Sequence, residues 1–149
     1  MNLVNEIKQN VFKSEYHKLL VNIMYTHGWI HSKIAARLKP YGITPQQYNI
    51  LRILRGQYPN SARIKLLEQR MLDRMSNASR LVERLRQKGL VERSICKKDR
   101  RAVDVIITED GLNLLKILDE SEQKWINEFK NIGLDNAKHT NKILDALRG

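Results

Sequence analysis

The chain has one cysteine, Cys96, among 149 residues, so an intramolecular disulfide is excluded and a reducing compartment is expected. No apolar run approaches the roughly 18–20 residues that cross a bilayer. The opening Met-Asn-Leu-Val-Asn-Glu lacks a basic stretch followed by an apolar one, so no signal peptide is visible. A soluble cytoplasmic protein without membrane association is the expectation. Glycine-rich phosphate loops, HExxH, GxSxG and paired catalytic carboxylates are also missing. These absences argue against an enzyme and leave no cofactor or metal to be expected. His27 and His31 have a helical ligand spacing, but no carboxylate or cysteine cluster lies near them in sequence.

Acidic residues are scarce, 16 against 27 Lys and Arg, for a net charge of +11. The imbalance is concentrated. Residues 1–60 carry +6, residues 61–101 carry +8 and residues 102–149 carry −3. Dense positive charge attracts polyanions and speeds their capture. A membrane surface is a poorer match, because the basic residues flank a turn and a hairpin and do not form one face of a single helix.

Apolar spacing predicts one helix over roughly residues 4–38, through Ile7, Val11, Leu19, Leu20, Ile23, Ile30, Ile34 and Leu38. Such a helix would span about 50 Å. Pro40 stops it. Thr44-Pro45-Gln46-Gln47 predicts the next start, with a threonine cap, proline at the first helical position and glutamine closing a capping box. A short helix follows over about 62–72, then a polar break at 73–76, then a helix to Lys88 ended by Gly89. Two alternating stretches, Leu90–Cys96 and Ala102–Thr108, flank a loop holding Lys97, Lys98, Asp99, Arg100 and Arg101. Thr108 is placed to cap a long helix through Ile132. Gly133 breaks that helix, and Asp135 is placed to cap a last one.

The fold class expected is mainly α with a small β-hairpin: a winged helix-turn-helix over 41–108, flanked by helical segments 1–40 and 109–149 in a single domain. A helix at about 75–88 with Ala78, Leu81, Val82 and Leu85 turned inward faces Ser76, Arg80, Glu83 and Gln87 outward, with Asn77, Ser79 and Arg84 beside them. Short donors and arginines on a helix suit base edges in a major groove, although a solvated face has the same composition. The basic hairpin favours the first reading. An arginine such as Arg101 can enter a narrow minor groove, and Asp99 is near enough to orient it. Lys97, Lys98 and Arg74 suit phosphate. Double-stranded DNA is therefore the expected partner, with docking to another protein as the alternative and double-stranded RNA as a weaker third.

The wing pattern Asp99-Arg100-Arg101, five residues, then Ile107-Thr108 resembles the signature of the MarR family, the multiple-antibiotic-resistance type of bacterial transcriptional regulators, with isoleucine in place of leucine. Tyr41–Tyr48, Ser79–Leu85 and Lys88–Arg93 are also similar to that family. The resemblance implies a homodimeric regulator, most often a repressor, with terminal helices intertwined and one winged helix on each half of a palindromic operator. It puts Ser76, Asn77, Ser79 and Arg80 at base or phosphate contacts and Arg101 in the minor groove. It further implies a small aromatic ligand between the dimer helices and the DNA-binding lobe. Tyr16, Tyr25, Trp29, Tyr41 and Tyr48 make the first third aromatic enough for such a pocket. Family members that sense peroxide use a cysteine in the N-terminal helix region, whereas Cys96 falls on the wing. The loop Leu72-Asp73-Arg74-Met75 departs from the family, having no small-residue turn.

Overall fold

The computed structural model describes residues 2–95 and 103–149. The chain runs α1 (Leu3–Ile7), α2 (Glu15–Leu38), α3 (Pro45–Gln57), β1 (Ala62–Arg63), α4 (Ile64–Arg70), α5 (Ala78–Gln87), β2 (Val91–Ile95), β3 (Val103–Ile107), α6 (Glu109–Phe129) and α7 (Leu134–Arg148), with short 3-10 turns at Lys39–Tyr41 and Lys130–Ile132. No helix among the described residues is long and apolar enough to cross a membrane.

The continuous first helix is corrected. Lys8 adopts a left-handed backbone (φ 53°) and closes α1. Ser14 then opens α2, its hydroxyl accepting from the His17 amide at 3.1 Å. Apolar spacing carries through residues 8–14, but a capping serine in extended backbone starts a new helix there. The 24 residues of α2 span about 36 Å. Tyr25 donates to Glu6 at 2.8 Å and folds α1 back on α2.

The capping box is present: Thr44 Oγ1 accepts from the Gln47 amide at 3.2 Å, and the Gln47 side chain accepts from the Thr44 amide at 2.9 Å. Before α4, Ala62 and Arg63 leave the helix predicted over 62–72. They pair antiparallel with Val105 and Asp104, so the hairpin is part of a three-stranded sheet of order β1-β3-β2. Two residues are too few for an alternation signal, and their pairing is set by a strand 40 residues on. At the last helix, Asp135 lies in the first turn and Gly133 occupies the cap position, so the expected side-chain cap is absent.

Thr108 joins two elements. Its hydroxyl accepts from the Gly111 amide at 3.2 Å, starting α6, and donates to the Gly89 carbonyl at 2.7 Å, holding the end of α5. Gly89 itself is left-handed (φ 72°), and the Leu90 amide reaches back to Leu85 at 3.1 Å. Leu38, Ile50, Leu51, Leu54, Leu67, Val82, Leu85, Val91, Val105, Leu115 and Leu118 fill the core, so α2 to α6 and the sheet share one interior. Helix α7 contributes no buried residue. Ile126, Phe129, Ile132, Leu134, Ile143 and Leu147 are all exposed around the end of α6 and along α7.

Candidate nucleic-acid interface

Helix α5 has one buried stripe, Ala78, Val82 and Leu85, with Leu81 half-buried at its edge. Packing on α3, α4 and β2 fixes that stripe and leaves Ser79, Arg80, Arg84 and Gln87 exposed on the other side. These side chains, with Asn77, Glu83 and Arg93, bound an open hollow of about 540 Å³. Arg93 stands on β2 and was missed from sequence. Its position in an alternating strand is ordinary, and its partner lies ten residues back on another element.

That partner is Glu83. It accepts from Arg86 Nη2 at 2.9 Å and from Arg93 Nη1 at 2.9 Å. Both guanidinium groups favour the carboxylate and pull its pKa from the ordinary 4.5 down to about 2, Arg86 contributing first. Glu83 thereby bridges helix and sheet and spends its charge on two arginines. Among the described residues, no acidic group lies within ion-pair reach of Arg74, Arg80 or Arg84. Their charge is left for an external anion.

The helix begins at Ala78, about three residues later than expected. Asn77 is the cap, its Oδ1 accepting from the Arg80 amide at 2.9 Å. Its side-chain carbonyl is thus occupied, and its amide group is what remains to offer. Ser76 lies in the preceding turn, not on the helix face, and its hydroxyl donates to Asp73 Oδ2 at 2.7 Å. Asp73 Oδ1 also accepts from the Met75 amide at 3.1 Å. These bonds stabilise the Asp73 carboxylate and lower its pKa, the Ser76 bond most. The turn that lacks small residues is therefore built by an aspartate. Lys97, Lys98, Asp99, Arg100, Arg101 and Cys96 lie outside the described residues.

A second cleft, about 820 Å³, opens between α2, α3, α6 and this turn. Tyr48 and Trp125 line it with His27, His31, Arg52 and Glu122. The Arg37 guanidinium lies 5.6 Å from the Tyr48 ring and 5.8 Å from the Trp125 ring, and its Nε and Nη1 are buried without a hydrogen-bond partner. Arg52 bonds both the Tyr48 hydroxyl (3.3 Å) and Glu122. Of the five aromatic residues singled out in the first third, Tyr48 alone lines this cleft. Tyr16 points into solvent, and Tyr25 is bonded to Glu6. The His27 and His31 rings are 6.2 Å apart, and among the described residues no group of three His, Cys, Asp or Glu side chains is assembled to hold a metal.

The model of the MarR family matches residues 43–103, from the residue before Thr44 to the start of β3. A MarR transcription factor of Planctomyces limnophilus has the same fold, with a TM-score of 0.68, 25% identity, and coverage of 91% of this chain and 99% of that one.

Over residues 43–103 the chain is similar to the MarR family.

Its sequence is also similar to the HTH-type transcriptional repressor MdtR of Bacillus subtilis, 29% identical over 82 residues. That match covers 55% of this chain and spans about half, 52%, of the repressor's length. The fold is shared too with the organohalide-sensing transcriptional regulator RdhR-CbdbA1625, solved in its 2,4-dichlorophenol-bound form (TM-score 0.78, 20% identity, 94% of this chain and 85% of that one).

Proposed function

We propose that this protein is a homodimeric, sequence-specific DNA-binding regulator that represses transcription by occupying a palindromic operator. The observation that carries this reading is the exposed face of α5, where Arg80 and Arg84 have no acidic partner among the described residues, beside a helix N-terminus. Such a face suits a major groove, with backbone amides and cations meeting phosphate. Ser79 and Arg80 read bases. Arg84, Arg74, Arg93, Lys97, Lys98 and Arg100 meet phosphate. Arg101, oriented by Asp99, enters the minor groove.

A second copy of the chain is supported by α7, which buries nothing in the single chain, and by the exposed apolar residues along it. Twofold symmetry then sets two half-sites related by the dimer axis. Release by a small aromatic ligand is supported by the cleft at Tyr48 and Trp125, which lies between α2, α6 and the DNA-binding lobe. A ligand acts there only if it binds one arrangement of the lobes more tightly than the other.

The test is a binding titration on promoter fragments at several salt concentrations, with Arg80→Ala beside the wild type. Loss of about 1–3 kcal/mol with relaxed base preference is expected. Unchanged affinity and unchanged base preference would remove α5 from the interface.

A further inference from the structure

We infer that Met75, in the turn before α5, reads the C5-methyl group of a thymine in the major groove. The proposal rests on the DNA-binding reading above and adds a specificity contact to it. Two large apolar side chains leave this turn, Leu72 at 90% and Met75 at 95% exposure. They have different surroundings. Leu72 is tied through its amide to Asn49 Oδ1 at 2.9 Å and lines the cleft under Tyr48. Met75 lines neither of the two clefts described above. It stands three residues before the first residue of α5, next to Arg74 in sequence and five residues before Arg80.

A lone exposed methionine is ordinary on a protein surface. This one is held in place. Its own amide donates to Asp73 Oδ1 at 3.1 Å, the Ser76 hydroxyl donates to Asp73 Oδ2 at 2.7 Å, and the Ser76 amide reaches the Asp73 carbonyl at 3.3 Å. The backbone is thus ordered before any partner arrives, which removes part of the entropic cost of making a contact there. Exposed Arg74, with no acidic partner among the described residues, would bring phosphate to one side of it, and Arg80 on the base-reading face lies to the other. The apolar group that a major groove offers at the level of a recognition-helix N-terminus is the thymine methyl. The flexible, polarizable thioether of methionine can adapt to its position.

A duplex selected from a randomised pool by the wild-type protein provides the probe. It is remade with deoxyuridine for thymine at one symmetry-related pair after another, which removes the methyl and keeps every hydrogen-bonding group. The wild type should lose about fourfold in affinity per methyl at one such pair, the effect of one apolar carbon. Met75→Ala should bind the thymine duplex more weakly and be indifferent to that pair. Met75→Leu should keep the sensitivity, and so should Leu72→Ala. Wild-type binding that tolerates every deoxyuridine, or Met75→Ala as sensitive as the wild type, would overturn the inference while leaving DNA binding intact. A pool that yields no duplex would overturn the DNA-binding reading itself, and this contact with it.

Discussion

Glu83 on α5 holds Arg93 on β2 at 2.9 Å, and the same carboxylate takes Arg86, one turn along its own helix, also at 2.9 Å. One acidic residue therefore links α5 to β2. It also fixes where Arg93 enters the hollow. Replacing Glu83 by alanine should leave the two arginines repelling each other and unmoor Arg93. The expected result is weaker DNA binding with little change in secondary structure. A titration showing wild-type affinity would deny the carboxylate any part in arranging the interface.

The same contact has a pH signature. The Glu83 carboxyl sits at about 2 in the folded chain against an ordinary 4.5. A depressed carboxylate stabilises the fold fully above its unfolded value. That contribution fades as pH falls below about 4.5 and is gone below about 2. Because the group is solvent-accessible, its effect is small. Urea midpoints followed down through this window should fall less steeply for Glu83→Gln than for the wild type. Parallel curves would mean that the pair carries no stability.

Two glycines should respond in opposite directions to the same substitution. A Cβ at Gly111 would lie 2.4 Å from the Leu90 carbonyl oxygen and 2.6 Å from Ile107 Cγ1, where the wing base packs on α6. Backbone cannot move aside cheaply, so Gly111→Ala should cost about 1–3 kcal/mol despite the better helix propensity of alanine. Gly28, inside α2, has nothing within 4 Å of its Cβ position. Gly28→Ala should stabilise by up to about 1 kcal/mol. Thermal melts of both variants check the pair, and stabilisation at both positions would contradict the packing described at Gly111.

Helix α7 makes a third kind of prediction. Ile143 and Leu147, four apart on one face, are 41% and 56% exposed in the single chain. The wild type should sediment at the mass of two chains, and changing both residues to lysine should leave the helical lobe folded and give the mass of one chain in sedimentation equilibrium. A wild type already at that mass would remove the reason for a palindromic site.

How much of this was legible in the chain follows from how local each signal is. Thr44 and Gln47 form their capping box within four residues, and Thr108 and Gly89 mark their helix ends the same way, so all were readable. The buried stripe of α5 was readable because helical periodicity places Ala78, Val82 and Leu85 together. Distant contacts were not. Ala62 and Arg63 become a strand only because β3 lies beside them. Arg93 belongs to the site only because Glu83 reaches it. The break after Ile7 was hidden by apolar residues that happen to stay in phase, although Ser14 was a capping signal in plain view. Asp73 could have been seen as the organiser of the turn, with Ser76 three residues on, but its two bonds displaced the helix start to Asn77.

The most direct test of the account is a footprint of the protein on a selected duplex, with stoichiometry measured on the same sample. Two protomers should protect two inverted half-sites whose centres are about one helical turn, or a whole number of turns, apart. Arg80→Ala and Arg101→Ala should each weaken protection of both halves equally. A single asymmetric patch covered by one protomer, or protection that ignores both substitutions, would contradict the claim that α5 and its wing grip DNA in pairs.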